Sequence, residues 1–211
     1  MINSKRNINK KVIIFDQDGV LINSKENMRA SWFAVQKDFD LYNINFNDYF
    51  LKIGKPFEQI LLDLGIYKDH KKIKECYDNN SKKNVNLITY YKNVKSTLKQ
   101  IYLRGHHICI VTSKDKLRTK FFLKDILHYF SFIQCPQKNL KGKPHSDQIE
   151  NVIKKLKVNK KNCVYIGDTH VDYLTAKNAN VKFIFASWGY GVKKNYKFTC
   201  NNIKEIAKYF D

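Results

Sequence analysis

Four short polar segments carry the groups that could do chemistry: Asp16-Gln17-Asp18-Gly19-Val20, Thr112-Ser113-Lys114, Lys141-Gly142-Lys143-Pro144 and Gly167-Asp168-Thr169-His170-Val171-Asp172. Asp16, Asp18, Asp168 and Asp172 gathered in one crevice would repel one another strongly unless a cation sat among them. Carboxylate oxygens without a soft ligand nearby suit a hard ion, and Mg2+ keeps waters and takes phosphate oxygens. Lys143 and the Thr112 hydroxyl can then hold the remaining phosphoryl oxygens. Of two aspartates spaced by two, one can attack phosphorus while the other passes protons. Gly19 permits the tight turn that carries the chain away behind them. Taken singly, each segment has a plainer reading: an Asp-rich turn, a helix N-cap at Thr112-Ser113, a surface lysine, a helix start capped by Asp168 or Thr169. Their order, at the ends of successive apolar runs, is what points to chemistry.

Positioning these groups falls to a parallel sheet. Val12 to Phe15, His107 to Val111, Phe132 to Cys135, Cys163 to Ile166 and Val181 to Ala186 are short apolar runs, as buried strands are. Helical stretches alternate with them: Lys116 to about Tyr129, Ser146 to Leu156, Val171 to Asn178, and a closing Ile203 to Phe210. The alternation predicts an α/β fold, a Rossmann-like parallel sheet with helices on both faces. Its strand C-termini share one edge, where such sheets bind ligands. Between the first strand and the next the pattern is helical. Met28, Trp32, Val35 and Phe39 make one stripe, Phe57, Ile60, Leu61 and Leu64 a second behind Pro56, and Asp69 to Lys83 a polar third helix. Residues 25–87 are therefore expected as an inserted helical cap over the site, with residues 1–24 and 88–211 forming the core. Val94, Leu98, Ile101 and Tyr102 predict a further amphipathic helix, stopped by Gly105.

A length of 211 residues fits one domain with a modest insert. No run approaches about 18 uncharged apolar residues, and Met1 to Lys11 is polar and lysine-rich, so the expectation is a soluble cytoplasmic protein with no membrane partner. Cys76, Cys109, Cys135, Cys163 and Cys200 are spread singly, which argues against a disulfide framework. The net charge of +20 invites a nucleic-acid partner. Against it, the basic residues are 35 lysines and only four arginines, mixed with 22 asparagines along every segment. That is compositional drift rather than a binding stripe, and base-edge recognition favours Arg. A nucleic-acid partner is not expected, although a positive surface would speed encounter with an anionic substrate. No feature specifies an oligomeric state.

Over nearly its whole length the sequence resembles haloacid dehalogenase-superfamily phosphohydrolases. Asp16-Gln17-Asp18-Gly19-Val20 is similar to the family's first motif, Thr112 to the second, Lys143 in Gly142-Lys143-Pro144 to the third, and Gly167 to Asp172 to the fourth. The long gap between Asp16 and Thr112 holds the insert, which resembles the helical cap of the phosphoglycolate phosphatase-like branch, as does Ala186-Ser187-Trp188-Gly189-Tyr190-Gly191. The resemblance implies that Asp16 is a nucleophile forming an aspartyl-phosphate, and that Asp18 protonates the leaving oxygen and then activates water. It implies Mg2+ on the Asp16 carboxylate, the Asp18 carbonyl and Asp168, with Asp172 nearby. It implies that Thr112, the Ser113 amide and Lys143 hold the phosphoryl group of a small phosphorylated substrate: phosphoglycolate, a sugar phosphate or a nucleoside monophosphate. Asn23-Ser24 departs from the family's usual Asp-Ser, and Lys143-Pro144-His145-Ser146 lacks a second proline. The alternative within the branch is a phosphosugar mutase of the β-phosphoglucomutase type. Such mutases carry a His in the first cap helix where this sequence has Met28, which favours hydrolysis. His170 is read as a loop residue rather than a metal ligand.

Overall fold

The computed structural model describes residues 10–210. The polar lead over residues 1–9 and the final Asp211 lie outside the described residues. Along the chain come β1 (Val12–Phe15), β2 (Ile22–Asn23), α1 (Lys25–Asp38), α2 (Phe46–Phe50), α3 (Phe57–Asp63), α4 (His70–Lys83), β3 (Thr89–Tyr90) and α5 (Val94–Leu103). The chain continues through β4 (His107–Val111), α6 (Lys116–Phe122), β5 (Phe132–Gln134), α7 (Asp147–Leu156), β6 (Cys163–Gly167), α8 (His170–Asn178), β7 (Lys182–Ala186), β8 (Thr199–Cys200) and α9 (Lys204–Lys208).

Six strands pair in the order β5-β4-β1-β6-β7-β8, and every neighbouring pair is parallel. Successive strand residues serve opposite faces. Ile13, Phe15, Ile108, Ile110 and Ile166 pack under α5 and α9, whereas Val12, Ile14, Cys109, Val111 and Tyr165 pack under α7 and α8. Each fully buried aliphatic side chain contributes about 1.5–3 kcal/mol, which is why these strands read as unbroken apolar runs. The chain steps from β1 to β4 on one side and to β6 on the other, so a crevice opens at the C-terminal ends of these three strands. Asp16, Thr112 and Asp168 each follow directly on one of them.

The helices α1 to α4 have a core of their own, built on Trp32, Val35, Tyr49, Leu61, Ile73 and Tyr77. Trp32 stacks on Tyr49 at 4.6 Å between ring centroids. A buried amide fastens α1 to α4: Asn27 Nδ2 donates to the Ser81 and Asn84 carbonyls, each at 2.8 Å, and Asn27 Oδ1 accepts the Ser81 hydroxyl at 2.7 Å. Every polar atom of that side chain is thereby satisfied. The chain leaves the sheet through β2 and returns through β3, and these pair antiparallel, Ile22 with Tyr90 and Asn23 with Thr89.

The structure departs from the sequence reading at several elements. The stretch from Lys116 is not one helix: α6 ends at Phe122, and Lys124–Tyr129 is a 3-10 segment. The last helix is shortened to Lys204–Lys208, and Tyr102 is half exposed on the outer side of α5. The two-residue strands β2, β3 and β8 and the five-residue α2 had no periodicity to betray them, although the Asn45–Asp48 capping box of α2 was present in the sequence. His170 is the exposed first residue of α8 rather than a loop residue. All five cysteines are free. Among the described residues no helix is long and apolar enough to cross a membrane.

Candidate active site

Lys143 reaches the crevice from the loop before α7, across a cis peptide to Pro144, and is 2% exposed. Its ammonium donates to Asp16 Oδ1 and Asp172 Oδ1, both at 2.7 Å. Asp172 also accepts the Tyr165 hydroxyl at 2.9 Å, and its Oδ2 accepts the Thr169 N–H at 3.0 Å and the Thr169 hydroxyl at 2.6 Å. The Thr169–Asp172 capping box that starts α8 thus fixes one wall of the site. Asp168 Oδ2 accepts the Tyr190 N–H at 2.6 Å, while Asp168 Oδ1 is buried with no hydrogen-bond partner among the described residues.

Carboxylate oxygens of Asp16, Asp168 and Asp172 all lie within 4.8 Å of one another. Three buried acids against one ammonium leave an excess of negative charge, and an orphaned buried carboxylate oxygen costs free energy. Burial pushes the Asp16 carboxyl up to about 7; Lys143 pulls it down and Asp172 adds to the rise. Burial, then Asp172 and Asp16, push Asp168 well above the carboxylate range. Asp172 moves the other way, because Lys143 and Thr169 outweigh its burial. An all-oxygen donor set with a surplus of charge and one unpartnered oxygen fits a hard divalent cation. Glycines make room for the Asp168 side chain. Gly19 stands at φ +83°, and a Cβ there would strike the Asp168 carboxylate. A side chain at Gly189 would meet the same aspartate.

Asp18, on the turn beyond, faces another set of groups. Its Oδ1 accepts the Ser24 hydroxyl at 2.5 Å and the Lys114 ammonium at 2.9 Å. Thr112 is buried at the end of β4, its hydroxyl accepting the Lys114 N–H at 3.1 Å. Ser113 turns toward the helical insert, donating from Oγ to the Gly54 carbonyl at 2.8 Å. Asp16, Asp18, Thr112, Ser113, Lys114 and Lys143 line one cleft, and Met28, Tyr49, Phe57, Ile60 and Tyr77 of the insert close its other side. Trp32, by contrast, is wholly within the insert's core.

Four contributors were given no role in the sequence reading, although Ser24, Lys114 and Tyr190 stand in segments quoted there. Ser24 holds Asp18. Lys114 stood inside a segment singled out there, without a role. Arg118 is a buried guanidinium that joins α6 to the insert, its Nη1 2.7 Å from Asp78 and its Nε 2.5 Å from Asp115. Tyr190 offers its N–H to Asp168 and its hydroxyl, as acceptor, to the Ser24 N–H at 2.6 Å. Only the scarcity of arginine could have marked Arg118.

A doubly covered parallel sheet whose switch-point edge presents buried aspartates and a lysine is an α/β fold with an acid-rich crevice where such sheets bind ligands. The sequence pattern of the haloacid dehalogenase-like hydrolases matches residues 13–186, and the chain belongs to that family. Pyrophosphatase PpaX of Oceanobacillus iheyensis is 27% identical over 182 residues, covering 84% of each chain. Among solved structures, a haloacid dehalogenase-like family hydrolase from Streptococcus pneumoniae superposes with a TM-score of 0.83 at 19% identity, over 96% of this chain and 99% of the other. A predicted phosphoglycolate phosphatase from Haemophilus somnus gives 0.82 at 22% identity, over 96% and 99%. These two establish the shared fold.

Proposed function

We propose that the chain is a Mg2+-dependent phosphatase acting on a small phosphorylated metabolite, with residues 25–87 capping a core of residues 1–24 and 88–211. The reading is carried by the buried meeting of Asp16, Asp168, Asp172 and Lys143, reached from a cleft that Asp18 and Thr112 also line. Mg2+ would be held by Asp16, the Asp18 carbonyl and Asp168, with Asp172 nearby, and when bound it would offset phosphoryl charge. Asp16 attacks phosphorus and the bond to the leaving oxygen breaks, leaving an aspartyl-phosphate. Asp18 gives that oxygen its proton, then takes one from the water that attacks the phospho-enzyme, so inorganic phosphate leaves and both aspartates return to their starting state. Thr112, the Ser113 amide and Lys143 steady the phosphoryl oxygens. Met28, where a mutase would need a proton carrier, offers only a thioether to the cleft, which supports hydrolysis. The pyrophosphatase name of the relative adds inorganic pyrophosphate to the candidates, beside phosphoglycolate, sugar phosphates and nucleoside monophosphates.

The test is phosphate release from p-nitrophenyl phosphate and from that metabolite panel with Mg2+. Asp16→Asn and chelation should each abolish turnover, and Asp18→Asn should slow it by about 10²–10⁴-fold. Turnover that survives both Asp16→Asn and chelation overturns the proposal.

A further inference from the structure

Four cations line the cleft: Lys55, Lys114, Arg118 and Lys143. Lys143 serves the phosphoryl end. Lys55 is neutralised by Asp63, and Arg118 by Asp78 and Asp115, three acids that do not line the cleft. Lys114 is different. Its side chain is only 9% exposed, its ammonium lies 4.7 Å over the Phe122 ring, and among the described residues the carboxylate it pairs with is Asp18, itself a cleft residue. A substrate with phosphorus at Asp16 and its leaving oxygen at Asp18 meets Lys114 with the next atoms of its leaving group. Across the cleft stand Met28, Phe57 and Ile60, together with Tyr49 and Tyr77, the Tyr49 hydroxyl donating to that of Tyr77 at 2.9 Å. That wall is mostly apolar and offers the hydroxyls of a sugar only this tyrosine pair, whereas Lys114 offers a full charge.

We propose that Lys114 is a specificity-determining residue that receives a second anionic group on the leaving group, a phosphate or a carboxylate. The favoured substrates are those in which a few atoms join the scissile phosphate to another anion, namely a diphosphate or a small phosphorylated acid. Neutral leaving groups are disfavoured. The inference rests on the phosphatase reading for where the leaving group lies. On binding, the ammonium exchanges Asp18 for the incoming anion, so Asp18 turns from ion-pair partner to the group facing the leaving oxygen.

Non-hydrolysable probes test this apart from turnover. Calorimetry with Mg2+ at fixed concentration compares methylenediphosphonate and phosphonoacetate with methylphosphonate, for the native chain, Lys114→Met, Lys114→Gln and Lys114→Arg. The affinity of one or both probes that carry a second anionic group, relative to methylphosphonate, should fall about ten- to a hundredfold in the Met and Gln variants, the value of a hydrogen bond to a charged group. Lys114→Arg should retain most of it. The probe that loses more identifies the second anion. Unchanged ratios, equal weakening of all three probes, or a loss shared by Lys114→Arg overturns the assignment. Because none of these probes is hydrolysed, a failed phosphatase assay is a separate result.

Discussion

As the solution turns acidic, Asp16 and Asp168 take up protons that an incoming cation has to displace. With Asp16 held up at about 7 by burial, and Asp168 raised as well, fewer sites are ionised as the solution becomes more acidic. Affinity for Mg2+ should therefore weaken as pH falls through about 7, by about tenfold per pH unit for the one proton on Asp16 and more steeply once Asp168 takes part. Mg2+ titrations across pH, with proton release followed in weak buffer, check this; an affinity that does not change with pH contradicts it. At this scale the sequence was informative where chemistry and local order coincide. Asp16, Thr112 and Asp168 each follow directly on an apolar run, so spacing alone places them at strand ends. Lys114 could not be read that way. One lysine among 35, even in the polar segment after β4, carries no mark of a role, and its significance comes from Asp18, 96 positions away, which only the folded sheet brings within 2.9 Å.

Among elements, the insert and the sheet keep separate apolar interiors. Trp32 has no exposed surface and stacks on Tyr49, so Trp32→Ala should cost about 3–5 kcal/mol. The loss should appear as faster hydrogen exchange in α1 to α4 while β1, β4 and β6 stay protected; uniform loss across both would show one cooperative core instead. The stripes at Met28, Trp32 and Val35 and at Ile60 and Leu61 were legible because α1 and α3 bury one side each. The ribbon of β2 and β3 was not, since two residues per strand cannot establish an alternation, and its pairing joins residues 22 and 90. The stop of α6 at Phe122 likewise follows from tertiary packing: Ile126, in the 3-10 segment, is drawn under the sheet with Phe122.

For the molecule as a whole, a net charge of +20 surrounds a cleft that takes phosphate esters in the proposed reading. A field of that sign steers anions, and salt screens it with a Debye length of about 10 Å at 0.1 M. Raising ionic strength with a monovalent salt should lower kcat/KM while leaving kcat nearly constant; equal changes in both would assign the salt effect to the chemical step. The antiparallel ribbon gives the molecule one more property. The polypeptide crosses between its two parts at neighbouring points, Asn23 and Thr89, which already face each other. A two-residue turn such as Asn-Gly could join them as a hairpin. The stretch of gene between those codons encodes the aromatic wall, whereas the codons for Asp16, Thr112, Lys143 and Asp168 lie outside it. A single recombination at adjacent breakpoints, provided the incoming stretch again began with Ser24 to hold Asp18, could thus give the enzyme a new appetite while leaving its reaction as it was.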